Sequence, residues 1–200
     1  MYKIIALFLL FTIIGACGQK KEINKSQQDE IATTESTMNT KPKEVQHFSI
    51  KISDNLQDKF RNNRSVLNKK HTFKILSVLD EITPITKKMI HATDNDLESL
   101  LKQTNQIVQR NGFKDLDDYG KELFTVTWAA GTFLKLQEIE KLKDVNSNAK
   151  SVQFLTENLD RRLKKQPISL KDIKLIRKNW EKINSALNKM SELAEEKMNS

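Results

Sequence analysis

The sequence predicts an all-α helical bundle of about five helices, preceded by a disordered tether. Three observations carry that expectation. Apolar residues over 53–200 recur at helical three- and four-residue spacing, and the only strand-like alternation is the short Phe48–Ile52. Five Gly and three Pro in 200 residues leave little material for the turns of a β-rich fold. Several helix start and stop signals stand where the apolar pattern begins and ends.

The elements follow in order. Ser53-Asp54 reads as a helix start, with Leu56, Phe60, Val66, Leu67, Phe73, Leu76, Leu79, Ile82 and Ile90 as the apolar face. Pro84 lacks a backbone donor and is expected to kink or split this helix near Ile82–Thr83. Thr93 is the expected N-cap of the second helix, with Asp94, Asp96 and Glu98 at the positive end of its dipole. Asn111-Gly112 should stop it, because Gly takes the left-handed cap without strain. Asp115 caps the third helix. Its stretch Leu123–Leu134 carries no charge, so this helix should be central and buried nearly all round. A fourth helix starts near Ser147, points Val152, Leu155, Leu159 and Leu163 inward, and ends before Pro167. Ser169 and Asp172 have capping-box spacing. The last helix carries Ile173, Ile176, Trp180, Ile183, Leu187 and Met190, a pattern for lengthwise packing in a bundle.

The organisation along the chain is a leader at 1–16, a linker at 17–46 and a domain at 47–200. The leader has one cation, Lys3, and an uncharged run from Ile4 to Ala16. As a helix that run is about 20 Å long, short of the ~30 Å of a bilayer core, and suits a signal-peptide core. Its end, Ile14-Gly15-Ala16-Cys17, resembles a bacterial lipobox. The resemblance implies alkylation of the Cys17 thiol by a diacylglycerol, cleavage before Cys17 and acylation of the new N-terminus. The mature chain would then have 184 residues and no free thiol. Gly18, where an inner-membrane retention signal would carry Asp, implies the outer membrane in a Gram-negative host. Lys20, Lys21 and Glu22 faintly resemble the export tags of surface lipoproteins in Bacteroidetes.

Residues 18–46 hold five cations and five acids with almost no periodic apolar residues. Such a segment cannot bury enough surface to offset its ordering entropy, so it is expected to be disordered. A 29-residue coil has a root-mean-square reach of about 30 Å, which would hold the domain a short distance off the membrane.

Chemistry-bearing motifs are absent from the sequence. Gly occurs only at 15, 18, 112, 120 and 131, so neither type of phosphate-cradling loop can be built, and HExxH, CxxC and GxSxG do not occur. His47, His71 and His91 lack metal-pair spacing. Asp115, Asp117, Tyr119 and Gly120 match part of a calcium loop, but the twelfth position is Val126, which offers no carboxylate. The carboxylate pairs Asp80–Glu81 and Asp117–Asp118 stand at solvated positions by pattern. No cofactor, metal or catalytic residue is assigned.

Two features point toward binding. Gly120, Thr127, Ala130 and Gly131 share a stripe of the central helix, which serves either close helix packing or a hollow for an apolar ligand. Charge is also uneven. The formal net charge is +8, with net +5 over 47–92, −3 over 93–145 and +5 over 146–200. Arg161, Arg162, Lys164 and Lys165 form a candidate basic patch for an anionic envelope component or an envelope protein. Nucleic acid is not expected, since no aromatic residues interleave the basic ones to stack bases. The sequence therefore reads as a lipid-anchored envelope lipoprotein with a non-enzymatic helical interaction domain. The alternative is a carrier of a small apolar ligand, or an atypical enzyme, with a pocket beside the central helix.

Overall fold

The computed structural model describes residues 52–144 and 149–199. Cys17, the linker, His47, all of Phe48–Ile52 but its last residue, and the expected helix start at Ser147 lie outside the described residues. The described residues form an all-α bundle of seven helices without a strand: α1 (Asp54–Asp58), α2 (Lys69–Ile90), α3 (Asp94–Arg110), α4 (Leu116–Asp144), α5 (Ala149–Lys165), α6 (Leu170–Lys178) and α7 (Trp180–Met198).

Two long helices act as hubs. α2 packs against α3 and α7, and α4 packs against α5 and α6. The two layers meet where α2 and α3 contact α4 and where α6 turns into α7. One core runs through both, with Ile75, Val78, Tyr119, Val126, Ala130, Ile139, Leu159, Ile173 and Ile183 at or near zero exposure. The 29 residues of α4 make a rod of about 43 Å.

Most sequence signals act where expected. Asp115 Oδ1 accepts from the Asp118 amide at 2.9 Å and caps α4. α3 ends in a Schellman motif, with the Gly112 amide donating to the Gln109 carbonyl at 2.8 Å and the Phe113 amide to the Val108 carbonyl at 3.2 Å. Gly112 has φ +78°, the left-handed conformation that costs other residues about 1 kcal/mol or more. Thr93 stands at the N-cap of α3, but its hydroxyl donates to Asp96 Oδ2 at 2.8 Å instead of accepting from a backbone amide.

Four expectations are corrected. The first helix breaks at 59–68, not at Pro84. Asn68 caps the restart by accepting from the Lys70 and His71 amides at 2.9 and 3.3 Å. Pro84 sits inside a continuous α2. Pro84 and Asp80, whose carbonyl loses its donor, both lie on the exposed side, where water can take that carbonyl. The last helix is two, divided at Asn179, whose side-chain amide donates to the Leu175 carbonyl at 2.7 Å and competes with helix continuation. Its two halves serve different hubs. Finally, α4 is not buried all round: Leu134 is 43% exposed, and Phe124, Thr127, Trp128 and Gly131 are half-buried on its outer strip.

The break at 59–68 is organised by one side chain. Ser169 and Asp172 form the expected capping box, with Ser169 Oγ accepting from the Asp172 amide at 3.1 Å and Asp172 Oδ2 accepting from the Ser169 amide at 2.9 Å. The Ser169 hydroxyl donates to the same carboxylate at 2.7 Å. Asp172 also accepts from the Ser65 hydroxyl at 2.7 Å, the Leu67 amide at 2.9 Å and the Val66 amide at 3.2 Å. The residue has no exposed surface. Burial pushes its carboxyl up, but the donors from Ser65, Ser169 and Leu67 outweigh that and hold it below the usual carboxylate range.

Because that carboxyl lies below its value in the unfolded chain, its stabilisation is complete at neutral pH. It is lost as pH falls through the folded value. Asp172→Asn should lower the unfolding free energy at neutral pH by about 2–3 kcal/mol, read by urea denaturation. The gap from the parent should begin to narrow below about pH 4, where Asp172 of the unfolded chain takes up its proton, and should close only at the lower pH at which the folded carboxylate protonates. Gly112→Ala should cost about 1 kcal/mol in the same assay. An added Cβ would meet only the mobile Lys74 Nζ, at 3.0 Å, so the φ angle sets that cost.

Candidate anion-binding face

Two basic segments that stand about a hundred residues apart in the chain meet at Asp172. Residues 59–70 contain five cations and no acid, and residues 161–174 contain six cations and one acid, Asp172 itself. The loop at 63–67 is tied to the α5–α6 corner by the Asp172 bonds and by Asn63 Nδ2 donating to the Ile168 carbonyl at 2.9 Å. Arg61 and Lys171 line one groove of about 380 Å³, with Asn63, Ser65 and Ser169 as its polar walls and Phe60 and Leu170 as apolar ones. Arg64, Lys164, Lys165, Lys171 and Lys174 are exposed.

The acids near this face are already committed. Asp160 takes Lys59 at 2.7 Å, and Asp58 takes Arg61 at 2.7 Å. In the first turns of α4, Asp117 pairs with Lys121 at 2.7 Å and Asp118 accepts from the Lys114 amide at 3.0 Å. Glu122 lies 3.4 Å from the His71 ring nitrogen. The Asp117 partnership raises the Lys121 ammonium above its ordinary value.

The four cations expected as a patch separate into two kinds. Arg161, Lys164 and Lys165 are exposed, and Arg161 donates to Asn158 Oδ1. Arg162 turns inward. Its guanidinium carbon lies 4.1 Å from the centre of the Trp128 ring, Nη2 donates to the Trp128 carbonyl at 3.1 Å and Nε to Thr132 Oγ1 at 3.4 Å. Arg162 thus clamps α5 to α4. Arg61, Arg64, Lys171 and Lys174 were missed because their nearness depends on a tertiary contact; a run without acids at 59–70 was the only signal in the sequence.

The stripe of small residues does not converge on one place. Ala130 is fully buried, while Gly120, Thr127 and Gly131 are half-buried on the outer strip of α4. Among the described residues, a groove at the α5–α6 corner and a second one are lined by residues other than these four. The second groove, about 690 Å³, lies between the ends of α2, α3 and α7. Its Glu196 already faces Lys87 at 3.7 Å and His91 at 3.4 Å.

The remaining candidates are engaged in structural contacts. Asp80 pairs with Lys189, and Glu81 with Arg110 at 2.6 Å. Tyr119 is fully buried with its hydroxyl donating to the Ile75 carbonyl at 3.2 Å. Burial, and then the charge of Asp80, raise its phenol far above its ordinary value. Among the described residues no group of three His, Cys, Asp or Glu could hold a metal ion, and no helix is long and apolar enough to cross a membrane. No family model, curated protein or solved structure matches the chain.

The different settings of the patch cations predict different mutant behaviour. Arg162→Ala should cost about 1–2 kcal/mol, since it removes a partly desolvated cation–π contact and a hydrogen bond. It should also shift tryptophan fluorescence. Lys164→Ala and Lys165→Ala should each stay within about 0.5 kcal/mol of the parent, measured by chemical denaturation.

Proposed function

We propose that this chain is a bacterial envelope lipoprotein, anchored through acylated Cys17, whose helical domain is a non-enzymatic module that binds an anionic envelope component. The observation that carries the binding half is the convergence of residues 59–70 and 161–174, eleven cations with one acid, around the Asp172 node. Asp172 is turned wholly to hydrogen bonds within the fold, so it offers no carboxylate oxygen to solvent, and its single negative charge is outnumbered by the exposed cations around the corner. Lys59, Arg61 and Arg162 are engaged within the fold, and the remaining exposed Lys and Arg raise the local concentration of anionic partners and steer their approach. The anchoring half rests on the leader and the Ile14-Gly15-Ala16-Cys17 sequence. Two or three acyl chains on one residue would hold stably where a single chain is marginal, at about 0.8 kcal/mol per buried CH₂.

Each half has its own test. Intact-mass spectrometry of the chain from bacterial membranes should give a species that starts at Cys17 and carries acyl mass; Cys17→Ser should abolish it. A retained leader would overturn the anchor. Cross-linked capture from intact envelopes should recover a partner in a salt-sensitive way. Reversal of Arg161, Lys164 and Lys165 to Glu should remove most of that capture, and unchanged capture with unchanged salt dependence would overturn the binding face.

A further inference from the structure

The cationic end of the bundle carries an apolar tip. Val66 is 50% exposed, although its own amide and that of Leu67 are held by Asp172. It follows Arg64 and Ser65 directly and stands on the loop that meets the α5–α6 corner. An exposed branched apolar residue on a loop that also carries Arg64, tied to a cation-rich corner, fits the boundary of an anionic bilayer. There the ammonium and guanidinium groups meet headgroup phosphates and the apolar tip enters the acyl edge. An acidic protein surface would use the cations and leave Val66 without a role.

We infer that the face formed by Arg64, Lys164, Lys165, Lys171 and Lys174, with Val66 at its tip, docks on the phosphate headgroups of an anionic lipid surface. This rests on the proposed lipid anchor and sharpens the identity of its anionic partner. The connection permits it. Thirty-five residues separate Cys17 from Ser53, and Ser53 is seated on Glu140 of α4 at 2.9 Å. The α5 end that carries Lys164 and Lys165 is held to Thr125 and Trp128 of α4, about 20 Å along that helix from Glu140. Thirty-five residues can span on the order of 100 Å when extended, so the entry point does not prevent this end from turning toward the membrane that holds the anchor. A second, weak contact made intramolecular by the anchor gains from high effective concentration. Each cation near such a surface contributes about 1 kcal/mol.

The test uses the full chain, recovered from membranes and reconstituted through its own N-terminus into vesicles of neutral lipid or of roughly one-third anionic phospholipid. Val66→Cys carries an environment-sensitive dye; with Cys17 acylated it is the sole thiol to label. The dye should shift to the blue on anionic vesicles and not on neutral ones, and the shift should vanish at high salt. Lys164, Lys165, Lys171 and Lys174 changed together to Glu should raise the anionic lipid needed for half the shift by more than roughly tenfold. The same four changed to Gln should fall between, with circular dichroism reporting retained helix in both. Anchoring in both vesicle types with identical dye emission overturns the lipid inference and leaves the anchor standing; failure to reconstitute even in neutral vesicles overturns the anchor itself. A dye response to polyglutamate but not to anionic vesicles overturns the lipid surface in favour of an acidic protein.

Discussion

The carboxylate of Asp172 sets the constraint on which the rest of this structure turns. A buried charge is expensive unless it is fully hydrogen-bonded, and here hydroxyl and amide donors from two distant segments satisfy it. One side chain therefore caps α6, closes the α5–α6 corner and holds the loop from which α2 begins. Backbone amides at 66 and 67 that have left a helix would otherwise need water or another acceptor. The same arrangement shapes the basic surface, since it brings two cation-rich segments together and turns their one carboxylate away from solvent.

From that node the two-hub architecture follows. α5 and α6 return along α4, whereas α7 is redirected at Asn179 and runs beside α2. Pairs of contacts keep it there: Lys182 lies over the Phe73 ring at 4.5 Å, Lys189 meets Asp80 and Glu196 faces Lys87. On the other hub Arg162 lies against Trp128 and joins α5 to α4. Charged residues on this protein accordingly divide into those that clamp helices and those that face outward, a division that charge counts alone do not reveal.

Legibility in the sequence depended on range. The Asp115 cap, the Asn111-Gly112 stop and the Ser169–Asp172 box were readable because each is built within a few residues. The break at 59–68 and the turn at Asn179 were not, because their local patterns are compatible with continued helix and the decision lies in what their backbone and side chains meet. Pro84 misled for the converse reason: a proline on an exposed face, flanked by packed residues, costs a hydrogen bond that water replaces. The outer strip of α4 reads as core in the sequence because an uncharged run does not state how many neighbours will cover it.

The basic patch was half legible. Arg161, Lys164 and Lys165 stand out as a run, but Arg162 in the same run is withdrawn by Trp128, and Arg61, Arg64, Lys171 and Lys174 enter only through the Asp172 contacts. The amino-acid sequence by itself determined the helical class, most helix ends and the surplus of positive charge. These follow from apolar period, cap chemistry and composition, all of which act over one or two turns. Only the tertiary structure decided which helices share a hub, which cations face solvent and where two basic segments become one face. Those outcomes depend on a buried carboxylate reaching across more than a hundred residues of chain, a distance that no local pattern encodes.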